Sequence, residues 1–188
     1  MKQLHVEAST YCNARCPLCP RSLYGYKVEG VYPEMHLTKD KLQVALDKFP
    51  ELEYVYFNGH LGDPMMNPNI ADLVEMTKCN TDMTTNGSLG TQKSWERIAK
   101  HNVGVRFSID GLEDTNHLYR QDLQWSKIME RVKWFIGAGG RAIWKYITFK
   151  HNIHQVQQAE ELSKQLGFKE FIIENHGRNY GPALDREG

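Results

Sequence analysis

Residues 12–20, read CNARCPLCP, place three cysteines within eight positions, directly after the first strand-like run of the chain. The spacing between Cys12, Cys16 and Cys19 lets a single tight loop turn all three sulfurs toward one point. Soft thiolates suit an iron–sulfur cluster or zinc, and both kinds of site normally take four protein ligands. Cys79, the only other cysteine, follows a helical pattern and is either a small buried apolar residue or a reactive thiol. The stretch therefore indicates either an incomplete zinc site or a [4Fe–4S] cluster with one iron left open.

The composition indicates one globular domain with balanced charge. The chain has 188 residues, 40% of them hydrophobic, and its 23 basic and 23 acidic residues cancel. Such a chain lacks the electrostatic signature of a protein that binds duplex DNA or an anionic membrane, so we expect neither partner. Residues 1–7 alternate polar and apolar side chains, and no run approaches membrane-spanning length. These features predict a cytoplasmic protein, and closely spaced thiols in that compartment indicate metal binding rather than disulfides.

Strand-like and helix-like stretches alternate along the chain. The predicted strands cover residues 4–8, 54–57, 82–85, 103–110, 143–149 and 168–174. Amphipathic helices are predicted between them. Thr38 is expected to N-cap the first helix, which Pro50 ends, and Ser94 to N-cap the third. Repeated strand–helix–strand units predict a parallel sheet with right-handed crossovers.

Six such units predict an α/β fold, and we expect an open, partial (β/α)6 barrel of the TIM type. A complete eight-unit barrel needs about 250 residues, more than this chain contains. A flavodoxin-like doubly wound sheet would show the same alternation and is the alternative. Residues 1–175 form the predicted core domain. Residues 176–188 are polar and glycine-rich and are predicted to be a flexible tail.

Three polar, glycine-containing motifs follow successive predicted strands. They read GHLGDP at residues 59–64, TTNG at residues 84–87 and SIDG at residues 108–111. Each motif alone is also an ordinary turn, but parallel α/β folds gather functional groups at the carboxyl ends of their strands. We therefore expect the three motifs to share one site. Ser108 and Asp110, two positions apart, should point to the same side of their strand, and Ile109 should point into the core.

The cysteine spacing, with the aliphatic Leu18 before the third thiol, resembles the cluster loop of radical S-adenosylmethionine (SAM) enzymes. This resemblance implies that Cys12, Cys16 and Cys19 hold three irons of a [4Fe–4S] cluster. It further implies that SAM binds the fourth iron through its amino and carboxylate groups. Reductive cleavage of SAM then yields a 5′-deoxyadenosyl radical that abstracts hydrogen from a substrate. A low-potential electron donor, flavodoxin or ferredoxin, is the implied partner.

The same resemblance assigns SAM contacts to the strand-end motifs. GHLGDP resembles the family's GGEP segment, although Asp63 stands in place of Glu and Leu61 in place of the first Gly. TTNG and SIDG resemble the TNG and S-x-D-G ends, and Lys145 is a candidate partner for the SAM carboxylate or else a solvated lysine. Leu18, together with residues 173–175, is expected to border the adenine. The implied cofactor-binding residues are Leu18, Gly62, Asp63, Asn86, Ser108, Asp110 and Lys145.

The resemblance is strongest to family members that modify peptides or proteins, so the expected substrate is a peptide or a small molecule. No cysteine follows Cys79, so this sequence contains no cysteine-rich extension for auxiliary clusters. The region of His117, Tyr119 and Arg120 resembles a His-to-Arg stretch that reaches substrate in such members, or Arg120 bridges surface carboxylates. On the first strand, His5, Glu7 and Ser9 are candidates to line a substrate cavity.

Two other functions remain open at this point. One is a module that binds an iron–sulfur cluster or zinc without catalysis. The other is an activating enzyme that places a glycyl radical on a partner protein.

Overall fold

The computed structural model describes residues 2–23, 26–27 and 33–174 of the chain. Its main feature is a six-stranded sheet in which every neighbouring pair of strands is parallel. A two-stranded antiparallel hairpin, formed by strands β2 and β3, follows the cysteine loop. In chain order the strands are β1 Gln3–Glu7, β2 Ser22–Leu23, β3 Tyr26–Lys27, β4 Tyr54–Asn58, β5 Asn80–Thr85, β6 Val103–Ser108, β7 Arg141–Ile147 and β8 Glu170–Glu174.

The strand order identifies the architecture. The sheet runs β1-β4-β5-β6-β7-β8, so each strand of the sheet pairs with the next one along the chain. A doubly wound sheet needs a point at which the strand order reverses, and this sheet has none. β1 and β8 do not pair with each other, so the sheet is open. The prediction of an open, partial (β/α)6 barrel is confirmed, and the doubly wound alternative is excluded.

Helices cover the outer face of the sheet. Alternation along the strands explains which side chains they cover: in β4, Val55 and Phe57 are fully buried, whereas Tyr54 and Tyr56 on the opposite, concave face are only partly buried. The helices are α1 Lys39–Lys48, α2 Ile70–Met76, α3 Gln92–Ala99, α4 Asn116–Tyr119, α5 Trp125–Gly137 and α6 Val156–Leu166. The hydrophobic core therefore lies between the sheet and its helical layer, which leaves the concave face for polar groups.

Two helix starts test the predicted caps. Thr38 does cap α1, since its hydroxyl accepts a hydrogen bond from the Lys41 N–H at 3.4 Å. Ser94 does not cap α3, and that prediction is wrong. The N-cap is Thr91, and Ser94 lies at the third helical position, where its hydroxyl accepts a hydrogen bond from the Thr91 N–H. The two hydroxyls form a reciprocal capping box, so either residue looks like a cap in the sequence.

Some predicted elements also change length. β5 begins at Asn80, two residues before the predicted strand, and β6 ends at Ser108, two residues earlier than predicted. A 3-10 turn at Ile153–Gln155 precedes α6, which begins at Val156 rather than at His154. The predicted tail, residues 176–188, lies outside the described residues. Within the part of the chain that the structure describes, no helix combines the length and apolar character needed to cross a bilayer.

Candidate active site

A cavity of ≈ 250 Å³ opens at the carboxyl ends of the strands, between the cysteine loop and the concave face of the sheet. All three clustered cysteines line it, as do five of the seven residues predicted to bind the cofactor. The lining residues that the sequence predicted are Cys12, Cys16, Cys19, Gly62, Asp63, Asn86, Ser108 and Lys145. The tertiary fold thus brings the cysteine loop and the ends of β4, β5, β6 and β7 to one place.

The cysteine loop is held by short backbone contacts. The Cys16 carbonyl accepts hydrogen bonds from the Cys19 N–H at 3.1 Å and from the Ser22 hydroxyl at 2.5 Å. The Ser22 N–H donates to the Cys19 carbonyl at 2.9 Å. Farther along, the Arg21 guanidinium donates to the Leu61 carbonyl at 2.8 Å and also contacts the Thr10 carbonyl. These contacts form tight turns that carry Cys16 and Cys19 and join the loop to the segment after β4.

The protein surrounds two of the thiols with N–H donors. Cys12 Sγ lies 3.4 Å from the Ala14 N–H and 3.9 Å from Asn86 Nδ2. Cys16 Sγ lies 3.7 Å from Arg120 Nη1. Burial raises the pKa of Cys12 to about 12, and the nearby Asp63 carboxylate adds to the effect. Burial likewise raises the pKa of Cys16 to about 11, while Arg120 opposes that rise. Donors of this kind stabilise sulfur once it carries negative charge as a metal ligand.

In the described ranges 2–23, 26–27 and 33–174, no three histidine, cysteine or acidic side chains lie close enough together to hold a single metal ion. The three thiols share the wall of the cavity without meeting at one point.

The segment after β4 packs directly against the start of the cysteine loop. A Cβ atom on Gly62 would overlap the Ser9 carbonyl oxygen and lie 2.7 Å from the Tyr11 carbonyl oxygen, so only glycine fits here without movement. The next residue, Asp63, donates its N–H to the Tyr11 carbonyl at 2.8 Å. The glycine of this motif therefore serves the close approach of two backbone segments.

Asp63 is almost completely buried, and its carboxylate is used within the protein. One oxygen accepts from the Met65 N–H at 2.9 Å and from the Thr85 hydroxyl at 2.8 Å, and the other accepts from the Asn86 N–H at 2.7 Å. Burial raises the pKa of Asp63, and these donors oppose the rise. The carboxylate thereby fixes the end of β5 beside the segment after β4.

An amide network joins the cysteine loop to the end of β5. Asn86 Nδ2 donates to Asn13 Oδ1 at 3.0 Å, and Asn13 Nδ2 donates to Ser88 Oγ at 2.9 Å. Ser88 Oγ completes the ring by donating to Asn86 Oδ1 at 2.6 Å. Asn86 is thus held between the cysteine loop and its own turn, with its side chain against Cys12.

Ser108 and Asp110 lie near the same end of β6 but have different surroundings. Ser108, 5% exposed, ends β6 and lines the cavity, whereas Asp110 lies two residues farther on and is not among the lining residues. Asp110 is fully buried. Its carboxylate accepts from the Ile147 N–H and from Arg120 Nε, both at 2.6 Å. Ile109 is fully buried in the core, as predicted.

Several predicted residues have partners other than a ligand. Lys145 lines the cavity and forms an ion pair with Glu174 at 2.9 Å. Leu18 is not among the lining residues and packs instead with the small apolar cluster of Cys16, Tyr119 and Phe149. Among the described residues, the ion-pair partner of Arg120 is Asp110, which is buried and not a surface carboxylate. Of the segment expected near the adenine, Ile173 is exposed, and residue 175 lies outside the described residues.

His5 and Glu7 on β1, and Ser9 just after it, do not line this cavity. Glu7 accepts hydrogen bonds from the N–H groups of His60 and Leu61 at 3.3 and 3.2 Å, and burial raises the pKa of its carboxyl. Ser9 contacts the Tyr11 N–H and His36, and the His5 ring packs edge-on against Tyr56. These residues therefore support the loops above them.

Other lining residues escaped the sequence analysis. They include Arg21, Tyr56, Asn58 and Ile147, which lie outside the motifs quoted above. Two of them could have been found from the alternation of side chains along a strand, because Tyr56 and Asn58 are two positions apart on β4 and face the concave side. Tyr56 also contacts the Thr84 hydroxyl on the neighbouring strand. Arg21 reaches the cavity only through tertiary packing, whereas Glu174 belongs to the segment expected there.

Comparison with known proteins agrees with this geometry. A family model described as the radical SAM superfamily matches residues 6–170. The tungsten-containing aldehyde ferredoxin oxidoreductase cofactor-modifying protein of Pyrococcus furiosus is 26% identical over 187 residues, which cover 93% of this chain and 51% of that protein.

Solved structures show the same fold. anSMEcpe with bound AdoMet matches with a TM-score of 0.73 at 19% identity, over 96% of this chain and 55% of that chain. Streptococcus suis SuiB bound to S-adenosylmethionine matches with a TM-score of 0.74 at 18% identity, over 98% of this chain and 43% of that chain. SuiB bound to precursor peptide SuiA matches with the same score, over 91% and 38%. The chain spans about half the length of the relatives that it matches. Since the family model covers most of its residues, this chain belongs to the radical SAM superfamily, whose members use a [4Fe–4S] cluster and S-adenosylmethionine.

Proposed function

We propose that this chain is the radical-generating core of a radical SAM enzyme, in which Cys12, Cys16 and Cys19 hold the cluster. The observation that carries the proposal is that the three thiols and the ends of four parallel strands line the same cavity. The residues present fit such a group. Three soft sulfur donors face one cavity, and N–H donors lie against two of those sulfurs.

Within this proposal, Gly62, Asn86, Ser108 and Lys145 contact SAM, because all four line the cavity beside the thiols. The bound cluster and SAM together supply the 5′-deoxyadenosyl radical that abstracts hydrogen from a substrate. The protein contributes orientation and exclusion of water. Lys145 is paired with Glu174 and only 20% exposed, so it offers a cation held at a set position on β7.

The other predicted residues, Asp63, Leu18 and Asp110, position their neighbours and do not contact SAM in this proposal. Asp63 is given a positioning role, since its oxygens already accept from Met65, Thr85 and Asn86. Leu18 contributes apolar packing behind Cys16. Asp110 holds Arg120 against the same thiol. Each of these side chains lies next to a proposed ligand-binding residue and limits where that residue can move.

We further propose that the substrate lies on the concave face, next to Tyr56, Thr84 and Glu174. Two relatives inform its class: SuiB has been solved with a precursor peptide, and the Pyrococcus furiosus relative is named for modifying a cofactor. A peptide or a small molecule is therefore the expected substrate. A low-potential donor, flavodoxin or ferredoxin, is the expected source of electrons, and the cytoplasm is the expected compartment.

The test is anaerobic reconstitution with iron and sulfide, followed by reduction with dithionite in the presence of SAM. Chromatography then measures 5′-deoxyadenosine. The wild-type chain and Cys79→Ala should form this product, and Cys16→Ala should not, because Cys16 lines the cavity and Cys79 does not. Cys79→Ala is the matched control for removal of a thiol.

Other outcomes of this experiment would support one of the alternative functions. Zinc uptake without cluster assembly would contradict the proposal and favour a zinc module. A cluster that forms while SAM stays intact would favour a non-catalytic module. Product that forms only with a partner protein, on which a glycyl radical then appears, would identify an activating enzyme.

A further inference from the structure

Arg120 connects a buried carboxylate to one of the cluster thiols. Its guanidinium donates from Nε to Asp110 Oδ2 at 2.6 Å and from Nη1 to Cys16 Sγ at 3.7 Å. The side chain is only 14% exposed, and that of Asp110 is 0% exposed. A formal positive charge therefore lies beside a sulfur that would ligate the cluster, with little water between them.

The position of this guanidinium is determined by a network of buried polar groups around Asp110. The second carboxylate oxygen of Asp110 accepts from the Ile147 N–H at 2.6 Å, and the Asp110 N–H donates to Asn116 Oδ1 at 2.9 Å. Asn152 Nδ2 donates to the Asp110 and Ile147 carbonyls, both at 2.9 Å. Asp110 is thereby tied to β7 and α4, and it holds Arg120 in one direction.

A buried charge at this place has a defined electrostatic effect. Reduction adds one negative charge to a thiolate-ligated cluster, and hydrogen bonds to sulfur and nearby net charge set its reduction potential. A cation in low-dielectric surroundings stabilises the more negative, reduced form more strongly than one in water. The negative charge of Asp110 lies farther from the sulfur and partly offsets that of Arg120.

We propose that Arg120 raises the reduction potential of the cluster through its contact with Cys16, and that Asp110 is the positioning residue that holds and moderates this charge. The inference rests on the proposed function, because it requires that Cys16 ligate the cluster. It assigns to the pair a role in how readily the cluster accepts an electron, separate from the binding of SAM.

Arg15 provides a matched control. It also carries a positive charge and directly precedes Cys16 in the chain, but its side chain is 45% exposed and pairs with Asp122. A charge in this position is screened by solvent. Arg15 and Arg120 therefore allow a comparison between a charge that is merely near the loop and a charge that contacts the sulfur.

The experiment is a redox titration of the reconstituted chain without SAM, in which the EPR signal of the reduced cluster is measured at each potential. Arg120→Gln should shift the midpoint potential to a more negative value than in the wild type. Asp110→Asn, which has nearly the same shape, should shift it to a more positive value. Arg15→Gln should leave it unchanged. Simple disruption of the loop does not produce opposite shifts from the two members of one ion pair.

The outcomes separate the two proposals. If the wild-type chain assembles no cluster, the proposed function fails and this inference fails with it. If the cluster assembles and Arg120→Gln has the wild-type potential, only the role of Arg120 is overturned. If Arg120→Gln retains no iron, Asp110→Asn decides, and an unchanged or more negative potential in that variant overturns the inference.

Discussion

Gly62 illustrates how one backbone position controls the site. The segment after β4 crosses the carbonyl groups of Ser9 and Tyr11 so closely that a side chain on residue 62 has no room. The following residue, Asp63, links the same segment to the end of β5. The site therefore depends on a glycine because two backbone segments meet there, in addition to any contact with a ligand.

Gly62→Ala should destabilise the fold by about 1–3 kcal/mol, the usual result of overpacking a close contact. Urea unfolding, monitored by circular dichroism, measures the change in the free energy of unfolding. Gly137→Ala is the control, because a Cβ at that position, the last residue of α5, meets no atom within 4 Å. Alanine is favoured over glycine in a helix, so the control should be neutral or slightly stabilised. Equal stability of the two variants would contradict the packing argument.

Asp63 shows how a short carboxylate fits where the family pattern has Glu. Its two oxygens already satisfy three donors in a buried setting, at distances of 2.7 to 2.9 Å. A longer side chain would carry the carboxylate past these donors. The departure from the family pattern thus coincides with an internal role for the residue.

At the scale of elements, helix α3 depends on its first turn. The Thr91 hydroxyl accepts from the Ser94 N–H at 3.2 Å, and Ser94 Oγ accepts from the Thr91 N–H at 3.0 Å. Unpaired N–H groups at a helix start are costly when no side chain or water satisfies them. The capping box therefore determines where α3 begins, and the buried face of α3 carries Trp95 onto the core.

Thr91→Ala should lower the free energy of unfolding by about 1 kcal/mol, within the range of 0.5–2 kcal/mol known for lost N-caps. Thr91→Ser should retain most of the stability, since it keeps the hydroxyl. Lys93→Ala, an exposed position in the same turn, is the control and should change little. Thermal and urea unfolding both report the difference. A loss in Lys93→Ala as large as that in Thr91→Ala would refute the capping role.

At the scale of the whole molecule, an aromatic cluster supports the strand ends that form the cavity. Phe107 on β6 stacks on Trp95 with ring centroids 5.4 Å apart, and it contacts Phe135 and Phe168 at 5.8 and 5.9 Å. The same ring lies directly below Gly87, where an added Cβ would be 2.7 Å from it. The turn that follows Asn86 therefore rests on the core.

Phe107→Ala should cost about 3–5 kcal/mol, because it removes a fully buried ring and leaves a cavity. Phe49→Ala removes the same ring at a site that is 48% exposed, so it should cost much less. Denaturant unfolding of both variants tests the contrast. Comparable losses would show that the aromatic cluster does not support the sheet as described.

The class of fold could be read from the order of residues. Six strand-like runs separated by amphipathic helices are local patterns in the sequence. The repeat of two residues in strands and of 3.6 residues in helices follows from backbone geometry. The three cysteines lie within eight positions, so their proximity needed no knowledge of the fold. The start of α3 was missed because Thr91 and Ser94 have the same capping chemistry, and only backbone conformation distinguishes them.

Contacts between distant segments depend on how the sheet curves and where each strand ends. The approach of Gly62 to Ser9 and the contact of Arg120 with Cys16 join residues up to 104 positions apart. No local pattern specifies such contacts, because each results from packing of the whole core. Sequence alone therefore determined the fold class and the thiols, whereas tertiary packing determined which polar groups face them and which charge lies beside Cys16.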